Sequence, residues 1–116
     1  MTERESSIAN TAQHEYWNTV AGPRWVGLGG FVERRARPVN DLLLARSGVA
    51  AGESVLEIGC GTGAVTVRFA EAAGERGRVV GVDISEPMLA GARKRRRRER
   101  ARQHLAIARR CPDARL

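Results

Sequence analysis

The sequence predicts an α/β fold built on parallel strands, and three observations carry that prediction. The apolar run Ser54-Val55-Leu56-Glu57-Ile58 ends directly in the glycine-rich turn Gly59-Cys60-Gly61-Thr62-Gly63, the pattern of a buried parallel strand. A stretch of helical length, Ala64–Ala73, follows and closes at Gly74. A second apolar run, Arg78-Val79-Val80-Gly81-Val82-Asp83-Ile84, is followed by Ser85, Glu86 and Pro87, a helix start with its cap, proline and acid in place. Strand, helix, strand, helix is a βαβ unit, for which a right-handed crossover is expected.

The elements before this unit read as a helical cap. Residues 1–10 are polar and charged and are expected to be disordered. A short helix is predicted over Thr11–Val20, capped by Asn10 or Thr11 and broken at Ala21-Gly22-Pro23. A second runs from about Phe31 to Ser47, with Val39, Leu42, Leu43 and Leu44 on one face and Pro38 as a kink. Gly48 and Gly52 flank the turn into the first strand. In the helix after the glycine turn, Val65, Phe69 and Ala72 share a side. In the next helix Met88 and Leu89 begin the apolar face.

Composition narrows the function classes. At 116 residues the chain is expected to form one domain at most. Its two cysteines, Cys60 and Cys111, give neither a disulfide framework nor a metal pattern, and no metal site is expected. The N-terminus lacks the apolar core of a signal peptide, and no run reaches the length of a membrane span. A cytoplasmic protein is expected. The net charge of +7 is unevenly placed. Residues 93–116 hold eleven of the twenty basic residues against two acids, whereas residues 1–92 hold nine against eleven. The basicity belongs to the tail alone.

The glycine turn carries the functional signal. Glycines there permit a tight bend and let a ligand approach bare backbone, and the following helix offers free N–H groups. Asp83, about twenty residues on, can accept the two hydroxyls of an adenosine ribose. Gly59, Gly61 and Ala64 also satisfy the looser dinucleotide pattern. Glu57 discriminates: a carboxylate two residues before the first glycine would repel a pyrophosphate and suits a cationic amine.

These residues resemble motif I of the class I methyltransferases, followed by the acidic strand-two motif in Val80-Gly81-Val82-Asp83-Ile84-Ser85. Tyr16-Trp17-Asn18, with Trp25 after Gly22-Pro23, is similar to the N-terminal segment of the ubiquinone/menaquinone type and related small-molecule enzymes. The resemblance covers roughly residues 12–92. It implies a Rossmann-like three-layer fold with S-adenosyl-L-methionine as cofactor and a small-molecule methyl acceptor. Glu57, Gly59 and Gly61 would line the methionine portion, and Cys60, Thr62 and Gly63 would shape the loop. Asp83 would hold the ribose, with Ile84 and Met88 near the adenine and Ser85 capping the helix beside it. Trp17 and Trp25, with Tyr16, would close over the cofactor. No catalytic base can be assigned, and the oligomeric state is open.

The tail departs from the pattern. Arg93–Arg100 has no helical apolar stripe; only His104–Ile107 is apolar enough for another strand. The expected domain plan is thus a disordered 1–10, a helical cap over 11–50, a cofactor-binding βαβα unit over 51–92 and a basic tail over 93–116. The fold is expected to be truncated after about two parallel strands and marginally stable. Read one base later, the degenerate codons of Arg102–Ala114 permit a sequence like the missing third strand, so a frameshift near the arginine run is one account of the tail. A deliberately short basic protein is the other. Two alternative functions remain open: an NAD(P)-binding oxidoreductase fragment, which Glu57 disfavours, and a basic nucleic-acid-binding module acting through the tail. No specific nucleic acid is expected, since no aromatic residue interleaves the arginines.

Overall fold

A computed structural model describes residues 10–109; the expectations for residues 1–9, and for Cys111 and the chain end, lie outside them. Helices α1 (Thr11–Thr19) and α2 (Ala21–Ser47) precede strand β1 (Ser54–Ile58) and helix α3 (Ala64–Ala73). Strand β2 (Arg78–Val82), helix α4 (Glu86–Arg98), a 3-10 turn (Arg100–His104) and strand β3 (Leu105–Ala108) complete the order. The sheet is parallel in the order β1-β2-β3, with Val55 beside Val79 and Val79 beside Leu105. This is the Rossmann-like α/β architecture the sequence predicts, with the N-terminal helical cap in place. Leu105–Ala108 supplies a third strand to the sheet, one more than the two or so expected.

Strand alternation divides the side chains between two faces. Val79 and Leu105 face α3 and join Val67, Phe69, Ala70, Ala73 and Ala101 in the core, flanked by Val55 and Ile107. Leu56 and Ile58 face the other way and are 38% and 76% exposed.

Four local expectations are corrected. The break expected at Ala21-Gly22-Pro23 falls at Val20, and Pro23 sits in the first turn of α2, where its missing N–H costs nothing. The kink in α2 lies at Gly29 (φ 29°, ψ −108°), while Pro38 stays inside the helix. In α3, Ala72 is exposed, and the buried side is Thr66, Val67, Phe69, Ala70 and Ala73. Strand β2 stops at Val82, two residues early, and beyond it the Asp83 carboxylate accepts the Gly61 and Ser85 amides.

The arginine run is helical. Arg93–Arg98 forms the last turns of α4, although it lacks an apolar stripe. Leu89 and Ala92 are its buried residues, and the arginine head groups do the rest. Arg95 Nε donates to the Thr62 carbonyl at 3.0 Å, and its guanidinium pairs with Glu33. Arg96 donates to the Leu105 carbonyl. Cations in a last turn also complement the helix dipole. The boundary expected after Ala92 therefore falls inside a helix.

Candidate functional site

The C-terminal ends of the three strands share one side of the sheet, where open α/β sheets bind ligands. A cavity of 590 Å³ lies there, within the range of small-molecule sites. Its walls include Gly59 and Gly61 from the turn after β1, Asp83 and Ile84 after β2, and Met88 from α4. Trp17 and Trp25 close it from the helical cap, at a centroid separation of 6.5 Å.

The turn is built against the end of β2. Gly59 and Cys60 both donate their amides to the Val82 carbonyl, at 2.8 and 3.0 Å. Gly61 adopts φ 56°, and a Cβ there would come within 2.9 Å of Met88 Cε. Its bare backbone is therefore required by conformation, while the Met88 tip is the flexible end of a side chain that can move aside.

Asp83 is the fixed point. Its Oδ2 accepts the Gly61 amide and its Oδ1 accepts the Ser85 amide, each at 2.9 Å. A carboxylate offers about four acceptor positions, so each oxygen retains capacity toward the cavity, as a pair of adjacent hydroxyls requires. Ser85, fully buried, accepts from the Met88 amide at 3.4 Å and caps α4. Its hydroxyl also donates to the Trp17 carbonyl at 2.8 Å.

Glu57 lies behind the turn. Strand alternation carries it to the face shared with Val55, where it accepts the Thr66 hydroxyl; it is not among the cavity walls. Burial raises its carboxyl above the ordinary value, the nearby Asp83 charge adds to this, and the Thr66 bond opposes it. Cys60, Thr62, Gly63 and Ser85 likewise support the walls without forming them. Cys60 is buried, and burial with the neighbouring carboxylates pushes its thiol up to about 12, which leaves it protonated and unreactive. Tyr16 packs edge-on against Trp17, at 5.8 Å, outside the walls.

Several contributors escaped the sequence reading. Asn18 donates to the Ile84 carbonyl and accepts the Glu86 amide, both at 2.8 Å, so the cap is bolted to the loop after β2. Ile58 and Val82 line the cavity through strand position alone. Arg109, directly after β3, reaches the same cavity. The only available sign of it was a polar residue following the third apolar run.

Comparison with known proteins identifies the architecture. The methyltransferase domain family model matches residues 55–115, which takes in the glycine turn, Asp83 and the arginine run. The chain belongs to this family. Demethylmenaquinone methyltransferase from Shouchella clausii is 51% identical over 47 residues, 40% of this chain and 20% of that protein. Nocamycin O-methyltransferase from Saccharothrix syringae is 48% identical over 54 residues, 47% of this chain and 18% of that protein. The matched segment thus spans about a fifth of the length of these curated relatives. Among solved structures, magnesium protoporphyrin IX methyltransferase from Synechocystis PCC 6803, determined with bound SAH, superposes with a TM-score of 0.64 at 23% identity. That match covers 87% of this chain and 51% of the other, and it shows the shared fold. No helix among the described residues is long and apolar enough to cross a membrane.

Proposed function

We propose that this chain is the cofactor-binding part of an S-adenosyl-L-methionine-dependent methyltransferase acting on a small-molecule acceptor. The observation that carries the proposal is the Asp83 carboxylate, held at the cavity by two backbone amides with acceptor capacity to spare. That arrangement suits the paired hydroxyls of a ribose. Demethylmenaquinone and nocamycin, named in the relatives, are small molecules, which supports the same class of acceptor here. A cytoplasmic location suits the free thiol of Cys60.

The cofactor supplies an electrophilic methyl group on a sulfonium centre. The chain's own residues bind and orient. Gly59 and Gly61 offer close backbone approach to the methionine portion, while Cys60, Thr62 and Gly63 set the shape of the turn. Glu57 acts from behind that turn, as a negative charge favouring a cationic amine through space. Ile84 and Met88 provide apolar contact for the base, and Ser85 fixes both Asp83 and the start of α4. Trp17 and Trp25 exclude water from one side. Methyl transfer then depends chiefly on alignment of donor and acceptor.

Calorimetric titration of the full chain with S-adenosylhomocysteine tests this reading. Saturable binding is expected, reduced about a hundredfold by Asp83→Ala, the loss of two charge-assisted bonds. Tighter binding of NAD than of S-adenosylhomocysteine would overturn it in favour of a dinucleotide site.

A further inference from the structure

We propose that Trp17 and Trp25 hold the positive charge of the bound cofactor against their ring faces, so that the helical cap distinguishes the charged methyl donor from its neutral product. The inference rests on the cofactor reading above and deepens it.

The two tryptophans are placed for a ligand rather than for a core. Helix α1 buries none of its residues, and α2 buries only Ala21 and Gly22. Trp25 is 42% exposed, yet both rings line the cavity. The ring centroids stand 6.5 Å apart and the planes are tilted by 41°. Neither ring lies flat on the other, which leaves aromatic surface for the cavity.

Their seat is fixed. The Trp17 carbonyl accepts the hydroxyl of Ser85, two residues beyond Asp83, at 2.8 Å. Tyr16 meets Trp17 edge-on, 5.8 Å away at 75°. Gly22, between the two tryptophans in sequence, lets the backbone of the cap press onto Ser85 where a Cβ would collide. The sulfur of the cofactor links its amino acid portion to its ribose. A ligand with the first at the glycine turn and the second at Asp83 therefore carries its sulfur between them, in the cavity that the rings close.

The contact is selective for charge. An indole face attracts a cation through its quadrupole, more strongly than the other aromatic rings, and the attraction grows as water is excluded. A neutral thioether receives only the apolar part. The described walls carry one carboxylate, Asp83, and one guanidinium, Arg109; the ring attraction adds to their field and does not depend on it. When the methyl leaves for the acceptor, the sulfur keeps the bonding electron pair and becomes neutral. The rings then hold the spent ligand less firmly than they held the donor.

The test is calorimetric titration of the full chain, Trp17→Leu and Trp25→Leu with three ligands: S-adenosyl-L-methionine, S-adenosylhomocysteine, and sinefungin, which carries an ammonium group in place of the sulfonium methyl. Leucine keeps apolar bulk and removes the ring. Each substitution is expected to weaken the two cationic ligands about tenfold, within the range of a desolvated cation–ring contact, and to change S-adenosylhomocysteine by less than about twofold. Trp17→Phe and Trp25→Phe, which keep a weaker ring, should show the same selectivity at smaller size, and they carry the test should a leucine variant fail to fold. In a folded variant of either position, an equal loss for all three ligands, a loss confined to S-adenosyl-L-methionine, or no loss for the cationic pair overturns the inference and leaves the cofactor reading standing. Failure of all three ligands to bind the wild-type chain overturns the cofactor reading, and the inference with it.

Discussion

The Gly61 amide donates to Asp83 Oδ2 across 2.9 Å, and this bond ties the turn after β1 to the end of β2. The Ser85 amide occupies the other oxygen. The carboxylate that faces the cavity is thus also a structural clasp. Asp83→Ala is expected to cost about 2 kcal/mol of stability, in line with loss of hydrogen bonds to a charged group. Urea denaturation measures it, and an unchanged midpoint would refute the clasp.

Asn18 holds the cap to the same loop. Its side-chain amide donates to the His14 and Ile84 carbonyls, and its carbonyl accepts the Glu86 amide. Asn18→Ala should destabilise the chain by about 1–2 kcal/mol. It should also shift tryptophan emission to the red, because Trp17 loses its fixed seat over the cavity. Emission identical to wild type in the folded variant would count against that coupling.

Glu57 carries a pH signature. Its carboxyl is raised above the ordinary value, chiefly by burial. An acid raised in the folded state binds more protons there than when unfolded, so its contribution is fully present below the unfolded value and lost as pH rises through the folded one. Glu57→Gln removes the buried charge and retains an acceptor for Thr66. It is expected to melt higher than wild type at neutral pH, with the difference vanishing in acid, and to weaken S-adenosylhomocysteine roughly tenfold, about 1.4 kcal/mol. Thermal melts across pH, with calorimetry at neutral pH, check both halves.

Cys60 should be inert. Its thiol is pushed up to about 12 and is buried beneath the turn. In a Cys111→Ser background, reaction with a thiol reagent at mildly alkaline pH is expected only at the rate of opening or unfolding. Rapid stoichiometric labelling of the folded chain would contradict the structure.

Gly22 is a point of close approach between the cap and the cofactor loop. A Cβ there would lie 2.1 Å from the Trp17 carbonyl oxygen and 2.3 Å from Ser85 Oγ. Gly22→Ala is expected to cost about 1–3 kcal/mol, as overpacking does, measured by the urea midpoint.

Legibility followed the range of the interactions. The glycine turn, Asp83 and the Ser85 cap were readable because each rests on contacts within one supersecondary unit. Helix α4 beyond Ala92 was not, because Arg95 and Arg96 stabilise it through the distant carbonyls of Thr62 and Leu105 rather than through an apolar stripe. Glu57 was recognised as part of the motif, but its direction follows from alternation along β1, which places it with Val55 and away from the cavity. Arg109 and Asn18 acquire their positions only when β3 and α1 dock. Local pattern carries no record of that event.

The exposure of Ile58 and Leu56 has a practical consequence. Within the described sheet, β1 is bonded to β2 alone, and these two side chains stand on the sheet face next to its open edge. Any strand drawn alongside, whether from the same polypeptide or a different molecule, would gain a ladder of main-chain bonds and dry two greasy residues at once. Handling at high concentration thus favours self-association, and a short peptide complementary to β1 is a rational additive for keeping the protein dispersed.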